Sequence, residues 1–349
     1  MNLSHGTGNP KATYLVVGDH YTYMDQMKSK PFSDGGGTIL YGMLQEAGIL
    51  TSDCWFTNLL NAVPPQGNLD NWFPVKKRDQ LPSHINMLGR VVHPDVAKGL
   101  SVLQATINLV KPKAIITLGN PPLWALTSNW SSLNWRGSML KDMYTSIPLV
   151  PVVHPRFIMA QWQHRVTAIM DMKRAVQMAN DLVKPPEHSF IIRPSLETVM
   201  SIINRFIQKM DAGESWTFDV DIETLGGHIR SLAFAWSLTE AICIPFGMNG
   251  MFKHYWPYTE EEGMVVHALY RLMTHPKANV RMQNGLFDVQ YIFKHWHFIP
   301  RVSQDTMISH HTMWTGLPKN LAYQASMYSR WYVYWKDMRG DDVSLKEGE

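Results

Sequence analysis

Cysteine is nearly absent from this chain of 349 residues, which has only Cys54 and Cys243. Two thiols exclude a disulfide-stapled scaffold and any metal or iron–sulfur site built from four cysteines. We therefore expect no iron–sulfur cluster, and a reducing, cytoplasmic compartment. Charged residues make up 17% of the chain and hydrophobic residues 45%, a balance that is typical of a globular protein and not of a disordered one.

Long apolar runs are also absent, and the N-terminus lacks the pattern of a signal peptide. We therefore expect no membrane association. The formal net charge of +3 permits nucleic-acid binding without requiring it, because a local basic groove matters more than the total. The length of the chain favours two domains over one.

An acidic strand is the first pattern that indicates chemistry. Residues 216–224 alternate apolar and polar side chains, which predicts a strand with one apolar face. Asp221 and Glu223 then project from the same face and repel each other. Bound Mg²⁺ or Mn²⁺ would make this arrangement favourable, because these ions prefer oxygen ligands. The alternative is an exposed strand end with two solvated acids.

A second motif follows another predicted strand, at residues 279–282. Asn284 and Asp288 are four residues apart, so both can face one way from the start of a helix. An Asp-x-Glu strand followed by Asn-x-x-x-Asp resembles the proofreading 3′–5′ exonuclease domain of family A DNA polymerases. Residues 305–328 resemble the helical run that follows in phage polymerases of this type.

The resemblance covers roughly residues 195–337 and implies an RNase H-like domain with a mixed sheet. It implies that Asp221, Glu223 and Asp288 are catalytic residues that bind two Mg²⁺ or Mn²⁺ ions. It also implies a single-stranded 3′ end of DNA as the partner, with Asn284 and Thr224 in contact with that DNA.

The resembled family has a fourth metal ligand, an aspartate from a Tyr-x-x-x-Asp helix. We find no such motif after Tyr323, and Asp305 is the first alternative. Three interpretations stay open: a piece of a phage-type polymerase, one half of a split polymerase whose second polypeptide carries the polymerase domain, or a DNA-binding module without chemistry. We favour an N-terminal portion of a polymerase and expect little exonuclease activity from this chain alone.

The N-terminal half alternates predicted strands and helices, which favours a parallel sheet with its ligand site at the carboxyl ends of the strands. Strands are predicted at residues 14–17, 55–57, 114–118 and 149–153, and helices at 38–47, 96–110 and 157–182. Unusual residues come after three of these strands and in one loop: Gly18-Asp19, Thr57-Asn58, His154-Pro155 and Pro31-Phe32.

These motifs, in this order, resemble the uracil-DNA glycosylase superfamily, especially the type that carries an iron–sulfur cluster. The resemblance covers roughly residues 11–181. It implies that Asp19 positions water, Phe32 stacks on a base extruded from the helix, Asn58 hydrogen-bonds the uracil edge and His154 stabilises the departing base.

Departures from that family favour holding DNA over excising a base, with an active uracil-DNA glycosylase as the alternative. Tyr21 and Thr22 follow Asp19 where the family has small residues. Arg156 takes the place of a serine and adds a charge suited to phosphate. The cluster cysteine of the family is replaced within Ala62-Val63-Pro64-Pro65.

A proline-rich stretch marks the predicted domain boundary. We expect a parallel-sheet, glycosylase-like α/β domain at residues 1–183, a linker at 184–193 and an exonuclease-like α/β domain with a mixed sheet at 194–349.

Overall fold

The computed structural model describes residues 6–248 and 254–337, and shows a mixed α/β protein. The chain divides into two compact units, here called the first and the second unit. The first contains the described residues up to Lys184 together with those from Ala322 onward, and the second is Pro185–Leu321. None of the described helices is long and apolar enough to cross a membrane.

The first unit is built on a sheet in the order β1-β3-β2-β6-β8-β7, in which β3, β2, β6 and β8 are parallel. The strands β4 and β5 form a separate hairpin. The strands of this unit are β1 Gly6–Gly8, β2 Tyr14–His20, β3 Cys54–Leu60, β4 Ile85–Met87, β5 Arg90–Val92, β6 Ala114–Leu118, β7 Leu140–Lys141 and β8 Pro148–Val152.

Helices cover both faces of this sheet. Val16 and Ile116 belong to the buried cluster on one face, whereas Leu15 and Ile115 belong to the cluster on the other. Central strands that are buried on both faces explain the continuous apolar runs in the sequence. The helices are α1 Tyr23–Lys28, α2 Gly35–Glu46, α3 Pro94–Val110, α4 Asn120–Thr127, α5 Ser132–Trp135, α6 Pro155–Ala160 and α7 Arg165–Ala179.

The helix predicted at residues 157–182 is wrong in one respect, because it is broken into α6, a 3₁₀ turn at Trp162–His164, and α7. Gln161 leaves the helical region with φ −135° and ψ 69°. The break turns His164 inward, where its ring lies 5.2 Å from that of Phe157. Apolar periodicity continues through the break, so the sequence pattern does not reveal it.

The second unit is built on a mixed sheet in the order β14-β13-β10-β11-β12-β9. Its elements are β9 Ser189–Ile192, α8 Leu196–Asp211, β10 Trp216–Leu225, β11 His228–Ala235, β12 Glu240–Pro245, α9 Thr259–Thr274, β13 Ala278–Met282, α10 Gly285–Trp296, β14 Val302–Asp305 and α11 Thr306–Met313. Phe218, Val220 and Ile222 of β10 are buried in one cluster with α8 and α9, so the predicted alternation of this strand is present.

Two expected boundaries differ from the structure. The predicted linker contains β9, which pairs in parallel with β12. The last helix, α12 at Leu321–Tyr328, and the residues after it were expected in the second domain. From Ala322 onward they instead group with the first unit, because Ala322, Tyr332 and Tyr334 pack with Leu123 and Trp135 in one buried cluster.

Candidate functional site

The acidic residues of the second unit gather around the end of β10. Asp221 and Glu223 project from its exposed face. Asp288, on the first turn of α10, is buried, and its Oδ1 accepts a hydrogen bond from the Ile222 N–H at 3.0 Å. This bond places the Asp288 carboxyl against the backbone between the two strand acids.

The electrostatics of these acids reflect their proximity. Burial, followed by the charges of Asp221 and Asp305, raises the pKa of Asp288 to about 6, although the Ile222 N–H opposes this shift. Desolvation and then the neighbouring Glu223 raise the pKa of Asp221. Both shifts favour the protonated form, and a cation close to the carboxylates would reverse them.

Asp305 holds the turn that precedes Asp288. Its carboxylate accepts the backbone N–H groups of Asn284 at 3.1 Å, Gly285 at 2.8 Å and Met307 at 2.8 Å. Asn284 is exposed and adopts the left-handed conformation with φ 59°, which turns the chain into α10. Asp305 therefore fixes the start of α10 and α11, and backbone donors occupy both of its oxygens.

The acid set does not form the metal centre that we predicted. In residues 6–248 and 254–337, no group of three or more His, Cys, Asp or Glu side chains is placed to hold a metal ion. Successive same-face residues of a strand stand about 7 Å apart, which separates Asp221 from Glu223. Thr224 lies at a register shift between β10 and β11 and is half-buried. The donors as they stand do not fit a two-metal site.

Two of the predicted pocket residues of the first unit, Phe32 and Asn58, meet around Gly18 at the carboxyl end of its sheet. Gly18 on β2 is in register with Asn58 on β3. A methyl group at Gly18 would collide with Asn58 Oδ1 and lie 2.8 Å from Cζ of Phe32, so the close approach requires glycine. Asn58 is buried, and its Nδ2 has no hydrogen-bond partner in the described chain. A bound acceptor would offset the desolvation free energy of the unpaired Nδ2 donor.

Phe32 is held in an unfavourable backbone conformation. Its φ is 55°, which is rare for an aromatic residue. The ring is buried and meets Phe56 edge to face, with centroids 6.1 Å apart. Packing therefore stabilises a residue with a strained backbone. Strained residues of this kind are common in binding sites.

Asp19, at the end of β2, is a buried acid with an unpartnered oxygen. No group in the described residues hydrogen-bonds its Oδ1. A methyl group at Gly119 would lie 2.8 Å from Asp19 Oδ2, so the glycine after β6 makes room for the carboxyl. Burial raises the pKa of Asp19 to about 8, against the opposing charge of Arg156. At neutral pH the protonated form therefore dominates.

His154 caps the N-terminus of α6. Its Nδ1 accepts the Arg156 N–H at 3.1 Å, so the proton of the neutral ring is assigned to Nε2. Desolvation, followed by the charge of Arg156, lowers the pKa of His154 to about 3. The ring is thus a neutral donor at physiological pH, suited to a carbonyl oxygen on which negative charge develops.

The comparison with known families decides the identity of the first unit. The model of the uracil DNA glycosylase superfamily matches residues 5–181. The chain belongs to this superfamily. The type-4 uracil-DNA glycosylase of Archaeoglobus fulgidus is 26% identical over 118 residues, which are 34% of this chain and 49% of that relative. The match therefore spans about half the length of this curated relative.

Solved structures also show similarity to this chain, at low scores. Escherichia coli RNase D, an exoribonuclease involved in structured RNA processing, is 13% identical with a TM-score of 0.31, over 47% of this chain and 39% of that one. Brucella melitensis NrnC with bound Mg²⁺ is 14% identical with a TM-score of 0.28, over 46% of this chain and 69% of that one. Scores this low carry no argument about function.

An iron–sulfur cluster does not fit this member of the glycosylase superfamily. A cluster needs four thiolates, and the sequence has two cysteines. Cys54 is buried on β3, where burial raises the pKa of its thiol to about 12. Cys243 belongs to the second unit. A thiol that stays protonated is also a poor metal ligand.

Two residues of the glycosylase pocket have environments that the sequence did not reveal. Arg156, expected at a phosphate, pairs with Asp34 through Nε and Oδ2 at 3.2 Å, and Asp34 caps α2. His20, which we did not predict, lies close enough to His154 to affect its pKa, and its Nδ1 is 2.7 Å from Tyr21 O. Its place at a strand end beside Asp19 was the available signal.

The bulky residues after Asp19 have structural partners of their own. The Tyr21 N–H is shared between the carbonyls of Leu60 and Ala62, each at 3.2 Å. Thr22 forms a capping box with Asp25 at the start of α1. Tyr21 is buried and the Thr22 side chain caps α1, so the first loop accommodates side chains larger than those of the resembled family.

Proposed function

We propose that the first unit binds a uracil base extruded from DNA and cleaves its N-glycosidic bond. One observation carries the proposal: an unpartnered Asn58 Nδ2, a neutral His154 donor and an unpartnered Asp19 oxygen occupy the ends of three strands of one parallel sheet. Membership of the uracil-DNA glycosylase superfamily supports it.

The chemistry of the base explains the residue types. Uracil presents a carbonyl and an N–H side by side, which match the NH₂ and carbonyl of Asn58. The His154 Nε2–H would donate to the other carbonyl, where charge develops as the base departs. The Asp19 carboxylate, once ionised, would orient the attacking water and offset positive charge on the sugar.

Asn58→Asp tests this assignment by replacing a donor with an acceptor. Cytosine has an NH₂ group where uracil has a carbonyl, so the variant should lose its preference for uracil and gain one for cytosine. We expect the wild-type full chain to prefer single-stranded DNA with one uracil over DNA with one cytosine by about tenfold, near the value of one discriminating hydrogen bond. Fluorescence anisotropy measures both affinities, and an unchanged preference in the variant would contradict the assignment.

A second candidate function, 3′–5′ exonuclease activity on single-stranded DNA, is favoured by the contact between Asp288 and β10 beside Asp221. We propose that Asp221, Glu223 and Asp288 would bind Mg²⁺ or Mn²⁺ once a donor from outside this chain completes the set, with Asn284 and Thr224 at the DNA. The incomplete donor set predicts weak or absent activity from this chain alone. Degradation of end-labelled DNA with either metal tests this, and robust activity that survives Asp288→Asn would contradict the assignment of Asp288.

We further propose that the chain is the N-terminal portion of a phage-type family A DNA polymerase that acts in the host cytoplasm. A second polypeptide with the polymerase domain and the Tyr-x-x-x-Asp helix would then complete the acid set. Affinity purification followed by mass spectrometry tests this. A polymerase-sized partner that restores exonuclease activity is the expected result, and a chain that travels alone at native abundance would argue against a split polymerase.

A further inference from the structure

A buried group of charges in the first unit is not balanced by its own members. Arg136 donates from Nε and Nη2 to the Asp171 carboxylate at 2.8 Å and 2.6 Å. Arg174 lies 4.0 Å from the same carboxylate. All three side chains are buried. One carboxylate therefore faces two guanidinium groups, and a buried charge without compensation is strongly destabilising.

The carbonyls of Thr167 and Gly137 accept from the two arginines, and the segment that follows the second unit in sequence supplies further acceptors. Ser326 Oγ accepts from Arg136 Nη1 at 2.5 Å, and the carbonyl of Ser329 accepts from Arg174 Nη2 at 2.9 Å. The rings of Tyr323 and Tyr332 lie over the two guanidinium groups, at 5.0 Å from Arg136 and 5.6 Å from Arg174.

The same segment also binds the backbone next to Arg136. The Met139 N–H donates to the carbonyl of Tyr332 at 2.7 Å, and the Tyr334 N–H donates to Ser138 Oγ at 3.0 Å. The superfamily match ends at residue 181, so these contacts come from outside it. The segment from Tyr323 to Tyr334 is called the strap below.

A short series of contacts connects the strap to the base pocket. The hydroxyl of Tyr323 lies 3.2 Å from His164 Nδ1 and 3.4 Å from Thr167 Oγ1. The His164 ring packs 5.2 Å from that of Phe157, and the Phe157 N–H donates to the carbonyl of His154 at 2.9 Å. The hydroxyl thus meets the turn between α6 and α7, and α6 has His154 at its N-terminus.

We propose that the strap is a working part of the base-binding unit and that Tyr323 is a positioning residue for His154. Tyr323 fixes His164, His164 fixes Phe157, and α6 then holds His154 toward the base. Uracil recognition by the first unit therefore depends on residues that come after the second unit in the chain. The activity readout of this inference rests on the proposed function, whereas its structural readout does not.

The test compares Tyr323→Phe with Tyr332→Phe in the full chain. Both variants lose one hydroxyl and keep the ring, but the Tyr332 hydroxyl has no hydrogen-bond partner in the part of the chain that the structure describes. We expect Tyr323→Phe to raise amide hydrogen exchange in α6 and the first turn of α7 about fivefold, and to weaken uracil binding about fivefold, as expected for one lost hydrogen bond. Tyr332→Phe should change neither.

The two readouts separate the possible failures. Equal exchange in the two variants, with equal affinity for uracil-containing DNA, would overturn the role of the strap. Raised exchange in Tyr323→Phe, in a chain whose wild type does not prefer uracil, would support the strap and reject the proposed function. Ser326→Ala, which removes both the Oγ acceptor of Arg136 and the Oγ donor to the Tyr323 carbonyl, gives a second variant and should raise exchange around Arg136 and Asp171.

Discussion

Asp19 is an unusual residue, because its carboxyl group is buried and one of its oxygens has no hydrogen-bond partner in the described residues. Burial raises the pKa of Asp19 to about 8, so the folded chain keeps its proton at pH values where the unfolded chain has released it. His154 shows the opposite case, a base that stays neutral because desolvation lowers its pKa to about 3. Both shifts leave these two side chains uncharged at neutral pH.

The pKa of Asp19 predicts how stability depends on pH. Because the folded pKa lies above the unfolded value of 3.8, Asp19 makes stability fall as pH rises from about 4 to 8. Asp19→Asn removes this dependence and keeps the shape of the side chain. We expect the variant to be more stable than the wild type by about 5 kcal/mol at pH 8, since each pKa unit corresponds to about 1.4 kcal/mol, and about equal at pH 4.

Urea unfolding of both proteins at pH 4, 6 and 8 measures this difference. A gap that does not widen as pH rises would show that Asp19 is already ionised in the folded chain.

Strands were easier to predict than the connections between helices. The strand at 114–118 and the alternation of β10 follow directly from runs of apolar residues with turn residues at their ends. The break at Gln161 was not predictable, because it depends on where His164 finds its partners and not on local periodicity. The strand β9 was hidden by the prolines before it, and only pairing with β12 makes it a strand.

Asp305 gives the clearest prediction about an element. Its carboxylate holds the turn at Asn284 and caps α11, so Asp305→Ala should destabilise the second unit by about 2 kcal/mol. Asp305→Asn keeps one acceptor oxygen and should cost about half as much. Amide exchange in β13, α10 and α11 measures both effects. Equal protection in Asp305→Ala and the wild type would show that the turn needs no cap.

Across the whole molecule, contacts between residues that are distant in the sequence could not be predicted from the sequence. Arg136 meets Ser326 across 190 residues, and no local pattern predicts that contact. The pocket motifs could be found because their order matches a family, whereas the orientation of Asp19, His154 and their neighbours depends on burial. The acids of β10 and α10 were found by spacing, but spacing does not establish convergence on a metal.

Single-turnover cleavage measures whether the first unit recognises and excises uracil. The full chain is incubated at pH 7 and at pH 8.5 with labelled DNA that contains one uracil or one cytosine, and abasic sites are then cut with alkali. We predict cutting at uracil alone, faster at pH 8.5 because Asp19 ionises near pH 8, and its loss in Asn58→Ala and His154→Ala. Uncut uracil with the wild type at both pH values, or cutting that both variants retain, would contradict the account.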